Sequence, residues 1–185
     1  MKTFTSAAVW AALALAVPAA AAAQDLERTG VYAGVGYSHL DPSGARDAGT
    51  GALAVRAGYQ FNRFLGIEAE GSLGVDDGHF STGAGARGSY GLDYAVGAFG
   101  VARYPVSERL DVFARGGAVH ARFDGKARIG STVARFSDKD EWLAAGAGAE
   151  LHLGGANALR AEYTRYEGND DLDVDVWGVS FVRRF

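Results

Sequence analysis

Cysteine is absent from this 185-residue chain, which also contains only three prolines and one methionine. Without cysteine the chain has no disulfide bonds and no thiolate metal sites. The shortage of proline, beside 10 phenylalanines and 8 tyrosines, is not typical of a disordered linker. The 27 glycines follow no three-residue repeat, so a collagen-like chain is excluded as well.

Positive charge is also scarce. The chain has 18 Lys and Arg against 22 Asp and Glu, a formal net charge of −4 at pH 7. Residues 24–185 contain all of the acidic residues but not Lys2, so their formal charge is −5. A nucleic-acid-binding domain is usually basic, and we therefore expect no nucleic-acid partner.

Long apolar runs are limited to the start of the chain, where residues 1–23 read MKTFTSAAVWAALALAVPAAAAA. Lys2, the apolar run after it, Pro18 and the small residues before Gln24 match a cleaved secretory signal. The run is too short for a membrane-spanning helix, and no run of about 18 apolar residues follows it. We predict a signal peptide over residues 1–23 and one domain over residues 24–185.

Within that domain apolar residues recur with a period of two, which indicates β-strands rather than helices. Large apolar side chains occupy one face, and glycine, small or charged side chains occupy the other. Eight segments have this pattern: residues 31–38, 53–61, 65–73, 93–104, 110–117, 143–153, 159–164 and 175–185. The sequence therefore predicts eight strands, most of them about ten residues long, as in outer-membrane barrels.

The connections between these strands alternate in length. Short turns are predicted at residues 62–63, 105–109 and 154–157, and longer polar loops at residues 40–50, 76–91, 123–140 and 167–173. Short turns at one end and long loops at the other, with an even number of strands, are typical of outer-membrane barrels. The expected fold class is all-β, an eight-stranded antiparallel up-and-down transmembrane β-barrel.

Alternation alone does not decide which face is inside, and a soluble periplasmic barrel or sandwich would place the charged face outward. Two features favour the membrane barrel. The apolar face has aromatic residues near strand ends, at Tyr37, Tyr59, Phe61, Tyr104, Tyr163 and Trp177. Such girdles mark membrane interfaces, and a glycine-rich opposite face suits the narrow lumen of eight strands. Because a spanning sheet leaves no open edge, the last strand is expected to pair with the first.

A family resemblance supports this interpretation. The segments GYQFNRFLGIEAEGSLG (58–74), ARYPVSERLDVFARGGA (102–118) and GAGAELHL…LRAEY (146–163) resemble the barrels of OmpA-like and opacity-type outer-membrane proteins, a porin-like family. The resemblance implies a location in the cell outer membrane of a Gram-negative-type bacterium. It also implies contact with outer-membrane lipid and lipopolysaccharide, and insertion by the barrel assembly machinery.

The last strand matches the alternating pattern that this machinery reads in the family. The residues that carry the match are Trp177, Val179, Phe181 and Phe185. Arg183 departs from the pattern, because an aromatic residue is commoner there in the family. We expect its side chain to extend along the apolar surface toward the interface.

Charged residues on the inward face form the candidate site. They are Arg56, Glu68, Glu70, Arg115, Glu150, Arg160 and Glu162. Glu68, Glu150 and Arg160 fall where the resemblance implies a mid-lumen ion-pair cluster, although Val101 stands at the family's lysine position. Since an unpaired charge in the lumen is costly, we expect these groups to pair. The cluster would act as a plug of salt bridges that fixes strand register or, alternatively, as a gate that passes small ions.

Catalytic and metal-binding residues are not predicted. His79 and Ser81 have a spacing that resembles the histidine–serine pair of lipid A deacylases, but they fall in a predicted loop and no acidic residue can be assigned to orient the histidine. The acidic segment EGNDDLDVD (167–175) lacks the frame of an EF-hand. We expect no cofactor and no metal.

The function expected from these features is structural or interactive. The barrel would support envelope integrity or take part in surface interaction of the adhesion type, with long loops that present an extracellular ligand-binding surface. The segment DGKARIGSTVARFSDKDE (124–141), which mixes basic and β-branched side chains, would extend the barrel as a hairpin. A narrow channel for small solutes or ions is the first alternative, and a lipid A-modifying enzyme is the second.

Overall fold

The computed structural model describes residues 29–42, 49–81, 87–129, 132–168 and 173–185, so the predicted signal at residues 1–23 lies outside it. None of the described residues forms a helix long and apolar enough to cross a membrane. The described residues form strands β1 (Gly30–Pro42), β2 (Thr50–Gln60), β3 (Leu65–Asp76), β4 (Gly78–Ser81), β5 (Arg87–Pro105), β6 (Leu110–Ile129), β7 (Thr132–Gly154), β8 (Asn157–Glu167) and β9 (Asp173–Arg184).

These strands close into a barrel. Each strand from β1 to β9 pairs antiparallel with its neighbours, and β3 and β4 are two segments of one barrel strand, since both pair with β5. The barrel therefore has eight strands. β9 lies antiparallel to β1 from Tyr32↔Arg184 to Pro42↔Val174 and closes the sheet. The predicted all-β, eight-stranded antiparallel fold and its closing last strand are confirmed.

The outer wall of the barrel is apolar. Successive side chains of a strand point to opposite faces, and in β9 every outward residue from Trp177 to Phe181 is large and apolar. Among the side chains that the structure describes, 24 large hydrophobic ones are exposed on this wall and in its turns. A soluble barrel would bury them, whereas a lipid-facing wall requires them. The membrane alternative is therefore the correct one.

Aromatic side chains lie at both ends of this apolar belt. At the end with turns 61–64, 106–109 and 155–156, the short-turn end, the rings of Tyr59 and Phe61 meet edge to face at 5.4 Å. At the opposite end, the long-loop end, the rings of Tyr163 and Trp177 lie 4.7 Å apart. Such girdles stand at the two membrane interfaces.

Two of the predicted long connections contain strands. β4 and the first residues of β5 occupy much of the predicted loop 76–91, and that loop assignment is wrong for Gly78–Ser81 and for residues 87–91. The hairpin expected in the third long connection is confirmed, with pairing from Phe123↔Asp138 to Ile129↔Thr132. Pairing satisfies backbone N–H and C=O groups that a long irregular loop would leave to water, which favours continued strands.

Candidate functional site

The lumen of the barrel is balanced in charge. The same alternation that places apolar residues on the outer wall places charged residues inside. Among the described residues the inward arginines are Arg56, Arg103, Arg115, Arg160 and Arg184, and the inward acidic residues are Glu68, Glu70, Asp111, Glu150 and Glu162. Because an unpaired charge is costly in a buried, low-dielectric environment, equal numbers of each sign allow these side chains to form ion pairs.

Arg160 is the centre of the larger of two groups. Its guanidinium Nη1 lies 2.5 Å from Glu68 Oε1 and its Nη2 lies 3.1 Å from Glu68 Oε2, a two-pronged ion pair. Its Nε donates to Glu162 Oε2 at 2.9 Å. Arg160 and the side chain of Glu68 are inaccessible to solvent. Bidentate pairs of this kind are among the strongest that proteins form.

Arg56 and Arg115 complete this group. Arg56 donates to both carboxylate oxygens of Glu162 and lies 2.9 Å from Glu70 Oε2. Arg115 Nη1 donates to the same Glu70 oxygen at 2.9 Å. The six side chains form one continuous network, the central cluster: Arg56, Glu68, Glu70, Arg115, Arg160 and Glu162.

Aromatic rings and a tyrosine hydroxyl line the central cluster. Tyr32 donates its hydroxyl to Glu68 Oε1 at 2.7 Å, and Gly58 leaves room for its ring, since a Cβ there would collide with the ring. The guanidiniums of Arg160 and Arg115 lie 3.8 and 4.0 Å from the ring centres of Phe113 and Phe99. Cation–π contact of this kind strengthens where water is excluded.

Glu150 belongs to a second group at the short-turn end, although it stands opposite Arg160 in register. Its two oxygens accept from Arg103 Nη1 at 2.7 Å and Arg184 Nη2 at 2.5 Å. Asp111 lies 2.9 Å from His152 Nε2 and 3.8 Å from Arg103 Nη1. We call Arg103, Asp111, Glu150, His152 and Arg184 the mouth cluster.

The mouth cluster contains a set of donors capable of holding a metal. Single ligand atoms of Asp111, Glu150 and His152 all lie within 4.8 Å of one another. Both oxygens of Glu150 are already bonded to arginines, so a cation would have to displace at least one guanidinium. The expectation of no metal stays a prediction. The sequence interpretation missed Arg103, Asp111 and Arg184, each of which shares the inward alternation.

Toward the long-loop end the lumen is apolar, which the sequence interpretation did not anticipate. The buried side chains there are Leu40, Ala52, Leu92, Ala95, Phe99, Val119, Ala121, Phe123, Trp142, Ala144, Tyr166, Val174 and Val176. They pack as a single core above the central cluster. The described part of the lumen is therefore filled by charged pairs in its lower half, toward the short-turn end, and by hydrophobic packing in its upper half, toward the long-loop end.

The residues proposed to guide assembly all lie on the outer wall. Trp177, Val179, Phe181 and Phe185 are exposed. Arg183 is outward as well, with its guanidinium 5.9 Å from the Phe185 ring. His79 and Ser81 lie in strand β4 rather than in the predicted loop, and their side chains lie outside the described part of the structure.

Known proteins share this architecture. Outer membrane protein A of Serratia marcescens is 33% identical over 145 residues, which is 73% of this chain but only 37% of that protein. The attachment invasion locus protein Ail of Yersinia pestis superposes with a TM-score of 0.61 at 22% identity, over 85% of this chain and 99% of Ail. The same protein has been solved with the heparin analogue sucrose octasulfate.

Neisserial surface protein A gives a TM-score of 0.62 at 15% identity, over 85% of this chain and 98% of that one. At such identities the solved structures establish the fold alone. The family described as Outer membrane protein beta-barrel domain matches residues 8–185. With its closed sheet and lipid-facing wall, the chain belongs to the outer membrane protein beta-barrel domain family and resides in the cell outer membrane.

Proposed function

We propose that this barrel is a surface-interaction protein of the adhesion type, and that the projecting β6–β7 hairpin is its contact element. The observation that carries the proposal is the length of these strands. β6 has 20 residues and β7 has 23, whereas β8 has 11 and β9 has 12. Outer-membrane barrels have short turns on the periplasmic side and long connections outside, so we infer that the projection stands outside the cell.

Among the residues that the structure describes, the projecting part of β7 pairs with β6 alone. β7 pairs with β8 only as far as Leu143↔Glu167, while its pairing with β6 continues to Ile129↔Thr132. Within the described chain, residues 132–142 therefore pair on one side only. An edge of this length spans roughly 35 Å and offers backbone N–H and C=O groups to an extended segment of a partner.

The barrel below provides a rigid base for this edge. Its lumen is filled by two ion-pair clusters and an apolar core, which is the arrangement of a packed interior rather than of an open pore. That packing argues against the channel alternative. Ail, which shares the fold, has been solved with a heparin analogue, so this architecture is compatible with an extracellular ligand.

Other aspects of the proposed role follow from the outer wall. We propose contact with outer-membrane lipid and lipopolysaccharide along the apolar belt, and a non-catalytic function. The predicted signal at residues 1–23 would export the chain, and residues 24–185 would form the barrel domain.

Shortening the hairpin tests the contact element. Replacing residues 125–136 by Asn-Gly joins the paired residues Asp124 and Ser137 through a two-residue turn that suits hairpins. We expect bacteria with this variant to adhere to epithelial monolayers less well than cells with the unchanged barrel, because residues 132–136, the outer part of the free edge, are removed. The variant should still be heat-modifiable on detergent gels, since the pairings of β6 with β5 and with β7 between Leu110 and Asp124 are retained.

The matched control changes a different connection at the same end of the barrel. Replacing residues 169–172 with Gly-Ser-Gly-Ser alters a connection at the long-loop end but leaves the β7 edge intact, and adhesion should persist. Undiminished adhesion by the shortened hairpin at equal surface abundance would refute the proposed contact element.

Phe185 provides a test of the proposed assembly signal. Its backbone N–H donates to Val31 O at 2.9 Å, so Phe185→Ala removes the ring but keeps this bond. We expect the variant to accumulate poorly in the outer membrane if the assembly machinery reads the ring. Phe64→Ala, which removes another exposed aromatic at the short-turn end, should assemble normally. Equal outer-membrane levels of both variants would exclude the signal.

A further inference from the structure

A recess opens at the short-turn end of the barrel, between turns 106–109 and 155–156. Its volume is about 360 Å³, which lies at the lower end of the range for small-ligand sites. The residues that line it are Glu108, Arg109, His152, Leu153, Gly154, Gly155 and Arg184. The proposed surface interaction at the opposite end of the barrel does not use it.

Basic groups dominate the lining of this recess. Arg109 and Arg184 carry fixed positive charges, and the His152 ring lies beside them with its Nε2 2.9 Å from Asp111 Oδ2. Glu108 is the only acidic residue among the residues that line it. Arg184 gives one nitrogen to Glu150, and its side chain is still partly exposed. Two guanidiniums on one recess favour a ligand with several anionic oxygens.

The backbone leaves one wall of the recess open. Gly154 and Gly155 have φ values of +109° and +58°, and a Cβ built on either would meet nothing within 4 Å. The positive φ values favour glycine here. The absence of side chains also lets a ligand approach the turn closely.

The recess lies at the level of a membrane interface. Leu153, which lines it, and Val106 in the neighbouring turn are more than half exposed and mark the lower edge of the apolar belt. In the orientation expected of an outer-membrane barrel, this edge faces the periplasm. Phosphate groups of the inner leaflet stand at this height, and free phosphate reaches it from the periplasm.

From these features we propose that the recess binds a phosphate group, with Arg109 and Arg184 as its principal ligands and His152 beside them. Glu108 opposes binding, because its carboxylate repels the anion. The phosphate belongs either to the headgroup of an inner-leaflet phospholipid or to free inorganic phosphate, and the experiment below separates the two.

His152 supplies a built-in reporter. Of the four histidines, His39 and His120 lie toward the long-loop end and His79 lies in β4, whereas His152 alone lines the recess. The full chain is refolded in octyl glucoside, which contains no phosphate, and titrated with inorganic phosphate at constant ionic strength set with chloride. We expect the ring carbon–proton NMR signals of His152 to shift saturably while those of the other three histidines stay fixed.

Variants assign the shift to the recess. Arg109→Gln should weaken the apparent affinity at least about tenfold, the loss expected from one charge-assisted contact of 1.4 kcal/mol or more. Glu108→Gln should tighten it. Arg183→Gln, on the outer wall beside Arg184, should leave it unchanged. The fold of each variant is checked by heat-modifiability.

Repeating the phosphate titration in phosphatidylglycerol nanodiscs shows whether the ligand is a lipid headgroup or free phosphate. If the lipid headgroup is the ligand, His152 is already shifted in nanodiscs and added inorganic phosphate moves it no further. If free phosphate is the ligand, the titration is the same as in detergent. A His152 signal that moves in neither medium, that moves equally in Arg109→Gln, or that moves together with the other histidines would overturn the proposal.

Discussion

Replacing Arg160 with alanine should lower the free energy of unfolding of the barrel by about 3–5 kcal/mol, the loss typical when one partner of a buried ion pair is removed. Arg160 is fully buried and binds Glu68 through two nitrogens and Glu162 through a third. Without it, Glu68 keeps the hydrogen bond from the Tyr32 hydroxyl, but its remaining counter-charges are more distant, with Arg56 at 3.9 Å and Arg115 at 3.7 Å.

Reversible urea unfolding from lipid vesicles, followed by tryptophan fluorescence, measures this loss. Arg165→Ala is the matched control, because Arg165 lies on the same strand and pairs with Asp173 and Asp175 but is exposed at the rim. We expect the control to lose no more than about 1 kcal/mol, as surface ion pairs do. Equal losses for the two variants would show that the central cluster does not stabilise the barrel.

A double variant separates the charge from the packing. Arg160→Met with Glu68→Gln removes both members of the two-pronged pair and leaves Glu162 with Arg56. Removing both partners costs less than removing one, because no buried charge is left without a counter-charge. The double variant should therefore be more stable than Arg160→Ala.

The outer wall yields the second large prediction. Val179 lies between Trp177 and Phe181 on the lipid-facing side of β9 and is 62% exposed. Val179→Arg should cost about 2–4 kcal/mol, the penalty for arginine near the bilayer midplane on the lipid face of such barrels. The penalty arises because the guanidinium must leave water for hydrocarbon.

Leu153→Arg is the comparison, since Leu153 is also an exposed apolar residue but lies at the short-turn edge of the belt. There the expected cost is about 0–1 kcal/mol. The same vesicle unfolding assay measures both variants. A Val179→Arg barrel as stable as the Leu153→Arg barrel would mean that the wall does not face lipid.

The barrel itself is predictable from the sequence because a period of two is simple to read. Alternation along residues 175–185 identifies the closing strand, and the pairing of β9 with β1 follows from the need to leave no open edge in lipid. Loop boundaries are harder to predict. Residues 87–91 lie toward the long-loop end, where no alternation of apolar residues marks the strand, whereas the basic and β-branched residues of the β6–β7 connection indicate its hairpin.

The interior is only partly predictable. Alternation identifies which residues point inward, and Arg56, Glu68, Arg115, Arg160 and Glu162 meet in the central cluster. Alternation does not show at which height along the barrel axis each inward residue lies. Because strands tilt and stagger in a barrel, Glu150 lies at the level of Arg103 and Arg184 in the mouth cluster and pairs with them.

The apolar upper lumen has a related cause. Phe123, Trp142 and Val176 point inward like the charged residues. In this part of the strands the inward residues are as apolar as the outward ones, so the sequence shows no difference between the two faces. Only the closed sheet shows that these side chains fill one core.

The central claim is that one face of these strands meets lipid and the other meets a packed lumen. The chain has no cysteine, so single cysteines placed at the outward positions of β9, residues 173, 175, 177, 179 and 181, give clean spin-label sites in vesicles. The account predicts that collision with oxygen peaks at residues 179 and 181, and that collision with a water-soluble nickel complex peaks at residue 173. Strong collision with the nickel complex at residues 179 and 181 would contradict it.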